Sequence, residues 1–173
     1  MKKGTVYFFT GLAGAGKTTI GGLFYKRLKE RKPNVFLADG DQVRSIFGRS
    51  GYSTEARKEA ARRGFRLWKA MAEQGIDVVV CSIAMYDEIR AWNRENIENY
   101  KEVYIKVSRE TLFRRDQKKL YSSGRKEVVG VDLPFDEPCT ADVIVCNDGQ
   151  ETPETIVGRL EEIFGLTAPE VEV

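Results

Sequence analysis

An α/β fold with a mainly parallel sheet of about five strands and helices on both faces is predicted by three observations. Short apolar runs alternate with helical patterns along the chain, the first run leads directly into a glycine-rich loop, and a helix follows that loop. Val6-Tyr7-Phe8-Phe9 reads as the first buried strand and Thr19 to Leu28 as the first helix. Val35-Phe36-Leu37, Ile76 to Val80, Val103 to Val107 and Val143-Ile144-Val145 supply the other strands. Between them, a long helix from about Thr54 to Gln74 gathers Ala61, Phe65, Trp68, Met71 and Ala72 on one face. Tyr86 to Asn99 reads as a helix with Ile89, Trp92 and Ile97 inward, and Pro153 to Ile163 as the last. A chain of 173 residues is most simply one domain, here 1–164, followed by a tail, 165–173, that reads as frayed. In such a sheet, ligands gather at the carboxyl ends of the strands.

Gly11-Leu12-Ala13-Gly14-Ala15-Gly16-Lys17-Thr18-Thr19 fits the phosphate-loop pattern G-x-x-x-x-G-K-[ST] and sits between a strand and a helix, as that loop requires. Backbone N–H groups from Gly14 to Thr19 would line phosphate oxygens, helped by the dipole of the helix that follows. Lys17 would reach the β- and γ-phosphates of ATP, and the Thr18 hydroxyl would hold Mg2+. The fold is therefore expected to be that of a phosphate-loop NTPase of the nucleoside-kinase kind. The third strand ends in Val80-Cys81-Ser82-Ile83 without the aspartate that many such ATPases place there, and the guanine-selecting N-K-x-D is absent. Small-metabolite kinases fit these features better than motor ATPases or switch GTPases.

Composition narrows the chemistry. The 28 lysines and arginines nearly balance 26 aspartates and glutamates, a net +2 that argues against affinity by phosphate neutralisation along nucleic acid. With no histidine in the chain, a general base must be a carboxylate, lysine, tyrosine or cysteine. The three cysteines have no metal-ligand spacing and read as reduced thiols of a cytoplasmic protein. No apolar run suits a membrane span, so neither membrane nor nucleic acid is an expected partner.

Asp39-Gly40-Asp41-Gln42-Val43-Arg44 follows the second strand and places two carboxylates and an arginine at a strand end. Asp39 suits an attacking hydroxyl, Arg44 an anionic substrate, and Asp41 either the site or the N-cap of a following helix. The long helix carries Arg57, Lys58, Arg62, Arg63 and Arg66, of which Arg57 and Arg62 are candidate anion ligands and the rest a solvated face. Arg114 to Arg125, dense in cations and bracketed by small residues, suits a lid that closes on phosphates, with the lid expected over about 116–136.

Together these motifs resemble the adenylylsulfate kinase family over about residues 4–164. The phosphate loop is similar to G-L-S-G-A-G-K-S/T-T, Asp39 to Arg44 to D-G-D-N-V-R, and Arg57 to Arg63 to R-x-E-N-I-R-R. Arg115 to Tyr121 is similar to R-D-x-K-G-L-Y, and Gly130-Val131-Asp132 through Glu137-Pro138 to G-I-D-x-x-Y-E-x-P. The resemblance implies transfer of the ATP γ-phosphate to a ribose 3′-hydroxyl, with Asp39 beside that hydroxyl and Arg115 over the adenine of ATP. It implies that Arg44 and Arg57 hold the substrate's anionic end, that Tyr52 stacks on its base, and that Lys118, also catalytic, and its neighbours form the lid. Asp41, Ile83, Leu120 and Val128 complete the substrate side, and a homodimer is the implied assembly.

The departures from that pattern fall on the substrate side. Ala60 and Ala61 replace Asn and Ile, Ile83-Ala84-Met85 runs one residue shorter than F-I-S-P, and Val128 stands where the family has a second stacking phenylalanine. A lost stacking partner is worth about 1–3 kcal/mol. Relatives of the family act on cytidine diphosphoramidate, whose smaller base needs less stacking surface, so either nucleotide is an expected acceptor. A kinase of a non-nucleotide metabolite and a non-catalytic ATP-binding regulatory module are the competing classes.

Overall fold

The computed structural model describes residues 2–48, 51–116, 119, 122, 124 and 128–166, the side chain of Asp41 excepted. Five strands, β1 (Val6–Thr10), β2 (Val35–Asp39), β3 (Asp77–Cys81), β4 (Tyr100–Lys106) and β5 (Val143–Cys146), form one sheet in the order β2-β3-β1-β4-β5. Every neighbouring pair is parallel. All five carboxyl ends therefore open on one edge. The helices are α1 (Lys17–Arg31), α2 (Gly40–Phe47), α3 (Thr54–Glu73), α4 (Asp87–Asn96), α5 (Arg109–Arg115) and α6 (Pro153–Ile163).

β1 is apolar at nearly every position because both of its faces are covered. Its side chains alternate between two cores, as the two-residue period of a strand dictates. Tyr7 and Phe9 pack with Ile20, Phe24 and Leu28 of α1 and Ile156 and Leu160 of α6. Val6 and Phe8 pack with Phe65, Trp68 and Ala72 of α3 and Ile89 of α4. The expected face of α3 is thus buried at Phe65, Trp68 and Ala72, with Ala61 and Met71 at its margin. No helix of the described residues is long and apolar enough to cross a membrane.

α1 and β2 run two or three residues beyond the sequence expectation, to Lys17–Arg31 and Val35–Asp39, and three further differences have identifiable causes. α4 stops at Asn96, not Asn99: Ile97 is extended, and the Asn99 carbonyl accepts from the Val6 amide as the chain enters the sheet. β4 begins three residues before Val103, because Glu102 is fully buried and breaks the apolar run. Its carboxylate accepts from the Tyr100 hydroxyl (3.1 Å) and lies 3.3 Å from Arg94 and 3.6 Å from Arg90. The N-cap of α2 is Asp39, not Asp41: Asp39 Oδ1 accepts from the Gly40 amide (2.7 Å), and the helix already includes Gly40.

Two adjacent glycines of α1 face opposite environments. A Cβ on Gly21 would overlap Cys81 Sγ and lie 3.3 Å from the Phe9 ring, whereas a Cβ on Gly22 meets nothing within 4 Å. Gly22→Ala is expected to stabilise the protein by up to about 1 kcal/mol through helix propensity. Gly21→Ala, with the same propensity gain, is expected to lose about 1–3 kcal/mol to overpacking. Urea unfolding of the two variants checks the opposite signs.

Candidate active site

The phosphate loop links the carboxyl end of β1 to α1. Gly16, at φ 103°, is the N-cap of α1 and carries no side chain to cap it, so the helix starts without the side-chain oxygen that would compete with an anion there. Within the loop, the Ala15 amide donates to the Leu12 carbonyl (3.1 Å) and Lys17 Nζ donates to the same oxygen (2.8 Å). The ammonium is thereby folded over the loop it belongs to.

Thr18 Oγ1 donates to Asp39 Oδ1 at 3.2 Å, joining the first turn of α1 to the end of β2. Between those strand ends, Cys81 closes β3. Its thiol is pushed up to about 12, chiefly by burial and then by the Asp39 charge, with Lys17 opposing. Cys81 is thus a neutral packing group between the phosphate loop and Asp39. Among the described residues, no three His, Cys, Asp or Glu side chains gather as a metal cluster.

Arg115 closes α5 and donates from Nη2 to the Asn147 carbonyl (2.7 Å). Asn147 Nδ2 in turn donates to the Ala15 carbonyl (2.8 Å). The next residue, Asp148, accepts from the Ser108 amide (2.9 Å) and hydroxyl (2.8 Å) at the start of α5, and these hydrogen bonds hold its carboxyl below the usual range. Asn147-Asp148 matches none of the sequence motifs. Their signal was positional: a polar pair immediately after the last strand lies on the ligand edge of a parallel sheet.

Of the residues expected on the acceptor side, Arg44 is exposed on α2 and folds back toward Gly40, where an added Cβ would lie 3.6 Å from its Nη1. Arg57 Nε donates to the Tyr52 carbonyl (2.9 Å), and the Tyr52 ring is 62% exposed just before α3. Arg62 is not placed as an anion ligand. Its guanidinium is taken by Glu55 (3.0 Å), Glu59 (3.5 Å) and Glu88 (3.0 Å), which clamps α3 to α4. Ile83 follows β3, its carbonyl accepting from Thr10 Oγ1, and Ala84 beyond it has φ 29°, a strained left-handed conformation.

Val128 is buried and its carbonyl accepts from the amides of Val131, Asp132 and Leu133, closing a tight turn. Gly130 in that turn, at φ 87°, lies so near the phosphate loop that a Cβ would come within 2.9 Å of Leu12. Asp136 then ties the segment to α4: its amide donates to Met85, its carboxylate accepts from the Asp87 amide (2.9 Å), and its carbonyl accepts from Arg90 (2.9 Å). The part of the expected lid from Val128 onward is thus bonded to α4 and lies against the phosphate loop. Lys118 and Leu120 lie outside the described residues, as does the side chain of Asp41.

A glycine loop opening a helix beside the central strand of a 2-3-1-4-5 parallel sheet, faced by a carboxylate from the end of the strand two places away, defines a phosphate-loop kinase. Within that class, residues 3–146 match the family model described as adenylylsulphate kinase, and the chain belongs to that family. It is a phosphotransferase acting on a hydroxyl group. A cytidine diphosphoramidate kinase of Campylobacter jejuni is 40% identical over 90% of this chain and 95% of its own length. An adenylyl-sulfate kinase of Picosynechococcus is 35% identical over 95% of this chain and 96% of its own. Among solved structures, the APS kinase of Mycobacterium tuberculosis in complex with AMPPNP and APS superposes with a TM-score of 0.86 at 24% identity. That match covers 95% of this chain and 99% of the other.

Burial separates the three thiols. Cys81 is enclosed, whereas Cys139 and Cys146 are exposed. At about pH 8, a thiol-reactive aromatic disulfide is expected to modify Cys139 and Cys146 promptly and Cys81 only after unfolding. Following thiolate release by absorbance, native and in denaturant, checks this.

Proposed function

We propose that the chain transfers the γ-phosphate of ATP to the ribose 3′-hydroxyl of a nucleotide, and that the acceptor is cytidine diphosphoramidate. The observation that carries the reaction is the Thr18–Asp39 contact beside Lys17, which puts a carboxylate at the mouth of an uncapped phosphate loop. The open amides of α1 and Lys17, once it leaves the Leu12 carbonyl, grip the phosphates, while Arg115 covers the adenine. Thr18 and Asp39 would hold Mg2+, which would supply charge neutralisation for the transferring phosphoryl group. Asp39 orients the acceptor hydroxyl and takes its proton, and Lys118 adds charge as the lid closes.

Arg44 and Arg57 serve the acceptor's anionic end and Tyr52 its base, with Asp41, Ile83, Leu120 and Val128 around them. Two observations favour the cytidine compound. Val128 is a small buried residue where the family has an aromatic face, and the relative at 40% identity bears that activity in its name. Adenylylsulfate is the second reading, carried by the relatives near 35% identity that are named for it.

ATP-to-ADP turnover with Mg2+, offering cytidine diphosphoramidate and adenylylsulfate in parallel, tests both parts. Preferential turnover of the cytidine compound is expected. Asp39→Asn, which keeps an oxygen to cap α2, is expected to lower kcat by about 10²–10⁴-fold. Preference for adenylylsulfate overturns the acceptor, and silence with both, or an unimpaired Asp39→Asn variant, overturns the reaction.

A further inference from the structure

Asn147 touches the two ends of the proposed ATP site at once. Its backbone continues the β5 ladder, its amide donating to the Lys106 carbonyl (2.9 Å), so the residue stands on the rigid sheet. Its side-chain amide donates to the Ala15 carbonyl (2.8 Å), and its own carbonyl accepts from Arg115 (2.7 Å). The side chain also fills the space beside Gly16: a Cβ there would lie 2.6 Å from Asn147 Nδ2. We propose that Asn147 is a positioning residue that sets the phosphate loop and the adenine-side arginine in register for ATP, an inference that rests on the ATP reading above.

The physical reason lies in the Ala15–Gly16 peptide. In a trans peptide the carbonyl and the following N–H point in opposite directions. A hydrogen bond that draws the Ala15 carbonyl toward Asn147 therefore turns the Gly16 N–H away from it, at the point where the loop enters α1. Gly16, in the left-handed region, has few intrinsic restraints of its own. The tether supplies one. Arg115 is held by the backbone of the same residue, so the phosphate-side and adenine-side contacts of Asn147 can be cut separately.

The test measures binding of ATP, inorganic tripolyphosphate and adenosine to the wild type, Asn147→Ala, Asn147→Asp and Arg115→Ala, with acceptor KM alongside. Asn147→Ala is expected to weaken tripolyphosphate and ATP about five- to tenfold while adenosine and acceptor KM stay within twofold. Asn147→Asp matches the shape but faces the Ala15 carbonyl and the phosphates with a carboxylate, so it is expected to bind less well than Asn147→Ala. Arg115→Ala is expected to show the reverse split, losing adenosine and keeping tripolyphosphate.

Asn147 variants that bind tripolyphosphate within twofold of wild type overturn the proposal. So does equal weakening of all three ligands with a lowered Tm, the pattern of a merely structural role. Should Asn147→Asp fail to fold, Asn147→Ser, which keeps a donor, is expected between wild type and Asn147→Ala, and no improvement over alanine overturns the inference. A wild type that binds neither ATP nor tripolyphosphate removes the ATP reading itself, and this inference with it.

Discussion

The open amino end of α1 is the constraint on which the site depends. A helix start leaves backbone N–H groups without partners, and most helices of this chain satisfy one with a side-chain oxygen: Asp39 for α2, Ser53 for α3, Ser108 for α5 and Thr152 for α6. α1 begins on a glycine instead. The cost is offset by setting α1 against the fully buried β1, so that apolar packing holds the helix while its first turn stays open. Everything else at the sheet edge surrounds that turn. Asp39 reaches it from β2 through Thr18, and Asn147 from β5 through Ala15.

A second set of polar contacts fixes the far wall. Glu102 is buried in β4, and burial raises its pKa even with Arg90, Arg94 and Tyr100 beside it. Such a cluster adds little net stability, since desolvation offsets much of the attraction. Its geometry has a use nonetheless. Arg90 also holds the Asp136 carbonyl, Arg94 holds the Thr140 carbonyl, and the Glu102 amide donates to Asp142. The irregular stretch between the wall turn and β5 is thereby tied to α4 and β4 without regular structure of its own.

These contacts explain what was legible in the sequence. β1, the phosphate loop, α3 and α6 were readable because their signals are local: an apolar run, a glycine spacing, a helical stripe. The start of β4 was not, because a buried glutamate looks exposed until its arginines, eight and twelve residues earlier in the chain, are folded against it. Asp39 stands out in the sequence by its place at a strand end, whereas the capping of α2 by its Oδ1 shows only in the structure. Asn147 lacked any motif; its meaning comes from Ala15 and Arg115, 132 and 32 residues away in sequence.

The two arginines of α3 show the same limit more sharply. Arg57 and Arg62 stand in one motif, yet five residues at about 100° each place them about 140° apart around the helix. Arg62 faces α4 and is spent on Glu88, while Arg57 lies by Tyr52 at the helix start. Substrate-side departures must be weighed against such fixed surroundings. The turn that carries Val128 is packed on Leu12 and leads into a segment pinned to α4, so a smaller side chain there does not let the wall collapse inward. That turn is closed through the Val128 carbonyl, a backbone group that any residue there supplies, so its shape does not depend on an aromatic side chain at this position.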